Sequence, residues 1–408
     1  MSRLDYDVLV AGGGLVGAAC AALLATHQST ARLRIALLEP MPVLPPQPGE
    51  DLGLRVSALS RASERLLERI GLWPRALERG GSPYRIMQAW DAGGEPAGPG
   101  CITFDAAELA EPDLGHIVEN RWVQCLLQER AASAGVECVT DAVIGFEPGS
   151  TSARVTTAGG RELRVSLVVA ADGYDSRLRS MAGVDLAGAD YDQRAIVAHL
   201  RPEHPHGLVA RQRFLTSGPL ALLPLGDGRV SLVWSTSTTE AERLCELDAE
   251  AFAVAVTEAS GRVLGRLQPT TERASFPLRW YDAKRYDADR MVLVGDAAHG
   301  VHPLAGQGVN LGLLDVAALV EVLSAGLQRG GEPGDRAPLR RYARWRKAEG
   351  RPAIAMLDGL GRLFGLEGSF AGELRRRGID WVDRSGPLKR ALIARAMGTG
   401  GELPSLVR

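Results

Sequence analysis

The chain has 408 residues, 45% of them hydrophobic and 24% charged, with a formal net charge of −2. That balance describes a folded globular chain long enough for two domains and excludes extended disorder, and the lack of a basic excess gives no reason to expect nucleic acid as a partner. The five cysteines, Cys20, Cys101, Cys125, Cys138 and Cys245, are odd in number, widely spaced and without a Cys-x-x-Cys pair, so neither a disulfide framework nor a metal site is expected. No apolar run of bilayer-spanning length and no signal-like leader are recognised, so the expected location is the cytoplasm.

Tyr6 to Ala11 reads as a short apolar strand. Gly12-x-Gly14-x-x-Gly17 follows, with Leu15 and Val16 inside it, and then Ala18 to Ala25, a run of small apolar residues suited to a helix packed closely on a sheet. Strand, glycine turn and helix form the first half of a dinucleotide-binding unit. A second strand, Arg34 to Leu38, ends at Glu39, 22 residues after Gly17, where an acidic residue is expected to bond a ribose hydroxyl. After a proline-rich loop (Pro40 to Pro48), Leu54 to Ser60 leads into a helix carrying Leu66, Leu67 and Ile70.

Residues 84–104 are irregular and rich in glycine and proline, which suggests an excursion into a second domain. Glu119-Asn120-Arg121 opens a helix through residue 132, and the apolar strand Val165 to Ala171 ends in Asp172-Gly173-Tyr174-Asp175-Ser176-x-x-Arg179. From 186 to 275 the pattern is mostly β: Ala195 to Leu200, Arg211 to Phe214, and a hairpin of Leu220 to Leu225 with Val230 to Trp234 around Gly226-Asp227-Gly228. Asp248 to Ala259 reads as a helix.

The strand Met291 to Val294 returns to the nucleotide domain and delivers Gly295-Asp296-Ala297-Ala298-His299. His302-Pro303-Leu304-Ala305-Gly306-Gln307-Gly308-Val309-Asn310-Leu311-Gly312 follows at the start of a helix expected over Val309 to Leu323. Beyond a Gly/Pro break at 330–338 the chain reads as basic helices. The expected fold is α/β: a Rossmann-like nucleotide-binding domain (1–83, 105–185 and 276–335) interleaved with a smaller β-sheet substrate domain (84–104 and 186–275), and a C-terminal helical region (336–408).

The first glycine motif alone indicates only a dinucleotide. Joined to Asp172-Gly173 and to the motif around Asp296, about 280 residues downstream, it specifies FAD. Glycines let the backbone approach a pyrophosphate, and helix N-termini offer free N–H groups and positive dipole ends. The Asp296 carboxylate is placed to accept from a ribityl hydroxyl. The helix start near Val309 is placed to stabilise negative charge on a reduced flavin. His299 and His302 lack a third ligand and the His-Glu-x-x-His pattern, so they are read as orienting the loop, with no metal expected. Gly359-x-Gly361 sits in a helical pattern and is read as close helix packing.

On these motifs the chain resembles the class A single-component flavin aromatic hydroxylases, with a fold like para-hydroxybenzoate hydroxylase. His302 to Asp315 is similar to the signature of the ubiquinone-biosynthesis hydroxylases. Arg55 to Ser63, Leu114 to Asn120, Ala210 to Phe214, Leu392 to Met397 and Leu403-Pro404 resemble the branch that hydroxylates C5 of 2-polyprenylphenol. The resemblance implies that Gly12, Gly14 and Gly17 hold the pyrophosphate, Glu39 the adenosine ribose, Arg55, Asn120 and Gln124 the nucleotide, and Asp296 the ribityl chain. Pro303 would sit beside the reacting ring, with Gly308, Val309 and Asn310 at the isoalloxazine. It further implies NAD(P)H as a transient reductant, O2 activated at the flavin C4a position, and transfer of one oxygen to an electron-rich phenol.

His199, Arg211 and Arg213 are candidates for activating the phenol that the sequence does not rank. Phe214, Leu220, Leu222, Leu223, Leu225 and Trp234 fit either an apolar prenyl channel or the core of the β domain. The segment Leu388 to Arg395, where basic residues flank an apolar stripe, reads as a solvated basic helix, with contact to a membrane or a pathway complex as the alternative, and a homo-oligomer is compatible with the chain. A hydroxylase of a small soluble aromatic and a non-catalytic scaffold remain as competing readings.

Overall fold

The structure is a computed structural model, and it describes residues 3–300, 307–365 and 369–408. Short apolar runs form a sheet whose central strands lie in the order Ile35–Leu38, Tyr6–Ala11, Glu162–Ala170 and Met291–Leu293, all parallel. Glu137–Val139 extends one edge in parallel, and Asp287–Ala288 pairs antiparallel at the other. The strands are continuously apolar because helices cover the sheet, leaving no solvated face to alternate toward. The helix Leu15–Thr26 is buried from Gly17 through Ala25. It packs against Asn120–Ser133 and Gln307–Gln328, which explains why it is apolar all round.

Register decides what this sheet can do. Ala11 pairs with both Leu38 and Ala170, and Ala170 pairs with Leu293. The chain therefore leaves the same edge of the sheet at Gly12, Glu39, Ala171 and Val294, and segments distant in sequence converge at the carboxyl ends of parallel strands.

A second sheet of nine strands runs, over its main path, through Ala274–Ala283, Leu186–Pro202, Val230–Ser237, Gly218–Pro224, Val209–Leu215, Ile86–Asp91 and Cys101–Asp105. The region read as irregular at 84–104 thus holds two strands, with the glycine- and proline-rich residues confined to the turn between them. One face of this sheet, including Ile196, Leu200, Leu222, Val230, Leu232 and Trp234, packs on the helices Thr238–Glu246 and Ala249–Ala259. A three-stranded sheet (Val56–Ser60, Gly115–Glu119, Ser82–Tyr84) lies against the opposite face, where Leu223 and Leu225 meet Ala58 and Ile117. The fold is mixed α/β, as the sequence led us to expect.

One expectation is corrected. Gly308–Gln328 is long and apolar enough to cross a bilayer, contrary to the reading that no such run exists, but most of it is buried inside the protein as a core helix. Where it crosses the first helix, a Cβ on Gly312 would lie 2.6 Å from Val16 Cγ2 and 3.1 Å from Gly295 Cα. Gly312→Ala is expected to cost about 1–3 kcal/mol through overpacking. The cost should be read as a lower urea midpoint at an unchanged m-value.

Candidate active site

The first motif is a backbone crossing that only glycines permit. Gly12 has φ +103°, and a Cβ there would sit 2.3 Å from Ala171 O, while one on Gly17 would sit 1.9 Å from Gly12 O. Gly13 is clamped from three sides: its N–H donates to Glu39 Oε2 at 2.6 Å, and its carbonyl accepts from Gln124 Nε2 at 2.9 Å and Gln128 Nε2 at 2.7 Å. Gly14 differs from the others, since its φ is −63° and a Cβ would touch nothing within 4 Å. It leaves open space before the N-terminus of Leu15–Thr26, which has no side-chain cap. The first N–H groups of that helix, at Leu15 and Val16, are therefore free to meet an anion.

The second motif binds itself to the third. Ser176 caps its short helix by accepting from Arg179 N at 3.0 Å, and Asp172 Oδ2 accepts from Leu178 N at 3.2 Å. The buried Arg179 donates to Ala297 O at 3.0 Å and Tyr174 O at 2.6 Å, tying the two loops together. Asp172 Oδ1 is buried without a partner beside Gly173, which has φ +81°. It is an acceptor held ready at the sheet edge.

Gly295 and Asp296 follow the Met291–Leu293 strand. The Asp296 side chain is solvent-accessible, yet desolvation raises its pKa against the opposing fields of His299 and Arg55. A carboxyl that is both accessible and desolvated lines a recess rather than the outer surface. Tyr281, from the large sheet, donates to Asp296 O at 2.9 Å and packs so closely on Gly300 that a Cβ there would lie 2.1 Å from its ring. Arg55 stands 5.4 Å from the Phe276 ring centroid, joining the small-sheet side to the large sheet.

Behind this loop lies a buried ion-pair network. His299 Nε2 is 2.6 Å from Asp315 Oδ2, Arg346 Nε donates to Asp315 Oδ1 at 2.7 Å, and Gly295 N donates to Asp315 Oδ2 at 3.1 Å. Burial opposes a charged His299, but Asp315 outweighs it and raises the histidine pKa; burial likewise opposes Asp315, which His299 and Arg346 hold below the ordinary carboxylate range. His299 thus does orient the loop, through a partner 16 residues on.

Other expected residues divide. Asn120 presents a buried, unpartnered Oδ1. Asn310 spends its side chain inside the protein: Oδ1 accepts from Ser60 N at 2.9 Å and Ser63 Oγ at 2.7 Å, and Nδ2 donates to Ala58 O at 2.8 Å. That leaves the first-turn N–H groups at Gly308 and Val309 as the offer of this helix. Pro303 and Gly306, with His302, lie outside the described residues. Arg211 donates to His206 O at 2.9 Å and Arg213 to Ala259 O at 3.0 Å, so both arginines are spent within the β domain, whereas His199 is fully buried with neither ring nitrogen hydrogen-bonded. Leu220, Leu222 and Trp234 belong to the core on the helix side, while Leu223 and Leu225 sit on the opposite face, at the small sheet. Glu64, Asp113 and His116 could form a ligand set, but Arg61 lies 2.5 Å from Glu64 and 3.5 Å from Asp113 and supplies the cation.

Gln128, Tyr281, Asp315 and Arg346 belong to the site although no glycine motif contains them. Only Gln128 had a local signal, one turn after Gln124 on the same helix face.

The chain is similar to known proteins over nearly its whole length. The FAD binding domain family matches residues 5–355. The chain is 37% identical over 407 residues to ubiquinone hydroxylase UbiL of Rhodospirillum rubrum, covering 98% of this chain and 92% of the relative. It is 34% identical to 3-demethoxyubiquinol 3-hydroxylase of Escherichia coli, covering 98% and 100%. The p-nitrophenol 4-monooxygenase PnpA of Pseudomonas putida superposes with a TM-score of 0.77 at 18% identity, over 99% of this chain and 100% of that one, a likeness of fold. The family match makes FAD the cofactor, and the relatives covered over most of their length are hydroxylases and monooxygenases, so the chain is an FAD-dependent monooxygenase. The chain belongs to the family of FAD monooxygenases of ubiquinone biosynthesis.

Removing Asp315 strands two buried cations, so Asp315→Ala is expected to cost about 3–5 kcal/mol. The pH dependence has a definite sign. Because the His299 pKa is raised above 6.5, its pairing contributes fully below that pH and is lost as pH rises through the folded-state value. The gap in Tm between wild type and His299→Gln should therefore narrow as pH is raised above 6.5, measured by calorimetry.

Proposed function

We propose that this enzyme hydroxylates the aromatic ring of a polyprenylphenol, at C5 of 2-polyprenylphenol, using O2 and NAD(P)H. The observation that carries the substrate class is an apolar ladder on the large sheet. Val197 pairs with Val233, and Val233 with Ala221, in central strands, yet all three stay half-buried. They share a face with Phe276, the ring beneath Arg55. Central sheet residues are ordinarily sealed, so a half-open apolar row beside Arg55 and near Asp296 suits an apolar phenol.

The residues present fit FAD. In this reading the free N–H groups at Leu15 and Val16, with Gly12, Gly14 and Gly17, take the pyrophosphate; Glu39 takes the adenosine ribose; Arg55, Asn120, Gln124, Asp172 and Gly173 hold the nucleotide. Gly295 lets Asp296 reach the ribityl chain, and Gly308 and Val309 offer N–H groups to the isoalloxazine. The resemblance adds Pro303, Gly306 and the backbone of Asn310. When bound, FAD accepts hydride equivalents from NAD(P)H and activates O2 for transfer to the ring. The chain's own work is to place the phenol, exclude water and stabilise negative charge with helix N-termini.

Gly14 separates folding from binding. Gly14→Ala is expected to leave the melting of FAD-free protein within about 0.5 kcal/mol of wild type while weakening FAD on the order of tenfold or more. Gly17→Ala should damage both. Filling the ladder with Ala221→Phe is expected to raise KM for a prenylated phenol with FAD content unchanged.

The test of the reaction is NADH and NADPH oxidation in air by the FAD-loaded protein, with and without 2-polyprenylphenol, followed by product analysis. A prenylphenol hydroxylated at C5 is expected. Consumption of reductant yielding only peroxide would overturn the substrate, and oxidation at another carbon would overturn the position.

A further inference from the structure

Charge is segregated along this nearly neutral chain. Residues 336–408 hold 16 Lys and Arg against 7 Asp and Glu, whereas residues 1–335 hold 31 against 42. The C-terminal helix Ser369–Arg384 repeats the segregation across its width. Asp380 Oδ1 accepts from Gly100 N at 2.8 Å and Asp383 Oδ1 from Thr103 N at 3.2 Å, covering the exposed edge of the strand Cys101–Asp105. Asp383 also pairs with Lys389 at 3.1 Å, which pairs with Glu108 at 2.8 Å. These carboxylates are thus spent toward the sheet.

The outward face keeps the opposite chemistry. Arg377, Trp381 and Arg384 lie one above another at helical spacing. Trp381 is 66% exposed, and Leu388 (37% exposed) and Arg390 follow across the Ser385 junction into the helix Gly386–Ala396. Glu373 pairs with Arg377 at 2.8 Å, while among the described residues Arg384 and Arg390 have no ion-pair partner. The apolar stripe expected to face outward at Leu388 to Arg395 is largely turned in: Ile393 packs with Ala106, Leu114 and Met397, and Lys389 is buried. The exposed surface at Leu388 and Arg390 thus continues onto the preceding helix, Ser369–Arg384, where Trp381 stands.

A tryptophan two-thirds exposed among arginines is poorly matched to water and well matched to a lipid headgroup layer, where the ring meets the acyl boundary and guanidinium groups meet phosphate. We propose that the face formed by Arg377, Trp381, Arg384, Leu388 and Arg390 docks on an anionic phospholipid surface. The proposal deepens the polyprenylphenol reading, because such a substrate partitions into lipid.

The test is co-sedimentation of the FAD-loaded full chain with vesicles of phosphatidylcholine alone, or with roughly one-third phosphatidylglycerol. No substrate is present, so failure here is distinguishable from failure of the substrate reading. Binding is expected only to the anionic vesicles, falling with added salt, with a blue shift of tryptophan emission that Trp381→Ala removes. Each arginine reversal, Arg384→Glu or Arg390→Glu, should weaken binding about fivefold. Arg154→Glu, at an exposed arginine on the nucleotide-binding sheet, should leave it unchanged. All variants should retain FAD and turn over a short, soluble phenol like wild type. Equal binding to neutral vesicles, salt-insensitive binding or no binding by wild type would overturn the proposal. So would an ultracentrifuge dimer abolished by Trp381→Ala, which would give the face to a second copy of the chain.

Discussion

Everything at this site depends on one close approach of backbones at the carboxyl edge of the parallel sheet. Gly17 lies against the carbonyl of Gly12, Gly12 lies against Ala171, and Val16 fills the space that glycines at 295 and 312 leave open. These contacts pull three segments, remote in the chain, to within touching distance. They tolerate little change because a packed interior has no room into which an added methyl can move. The helix N-termini that could neutralise an anion are aimed by the same packing, so binding chemistry and fold stability share atoms here. Gly14 is the informative exception, being required by neither its own backbone angle nor its neighbours.

A second layer of control comes from charge. Asp315 gathers the backbone N–H of Gly295, the imidazole of His299 and the guanidinium of Arg346 in a site sealed from water. A buried ion network of this kind contributes less through net stabilisation than through specificity, since each partner left alone would be costly. It makes the loop carrying Asp296 answerable to the helix Arg336–Gly365, which lies beyond the nucleotide-binding motifs in sequence. Tyr281 exerts a parallel hold from the large sheet. The loop carrying Asp296 is thereby held from two directions, by Tyr281 and by the Asp315 network.

Legibility from the sequence followed the range of the interactions. The strands Tyr6–Ala11 and Ile35–Leu38, the helix Asn120–Ser133 and the Gly218–Pro224/Val230–Ser237 hairpin carry local signals in periodicity and turn residues, and they appear where those signals place them. The strands at 86–105 were masked because a glycine- and proline-rich turn dominates so short a segment. Leu220, Leu222 and Trp234 were open to two readings because alternation defines a face without saying what covers it, and two helices later in the chain decided the matter. The same ambiguity placed an apolar stripe at Leu388 to Arg395 on the surface when Ile393 is core.

The sequence by itself determined the cofactor class and the α/β fold, because glycine spacing, a strand-terminal acid and helix starts are short-range requirements of holding a dinucleotide. Tertiary structure alone decided that the Asn310 amide turns inward to Ser60 and Ser63, that Asp315 and Arg346 govern His299, and that Trp381 faces out while Asp380 and Asp383 face in. Each of those outcomes is a competition among polar groups for partners many residues away, and the winner is set by which elements pack together rather than by any local pattern.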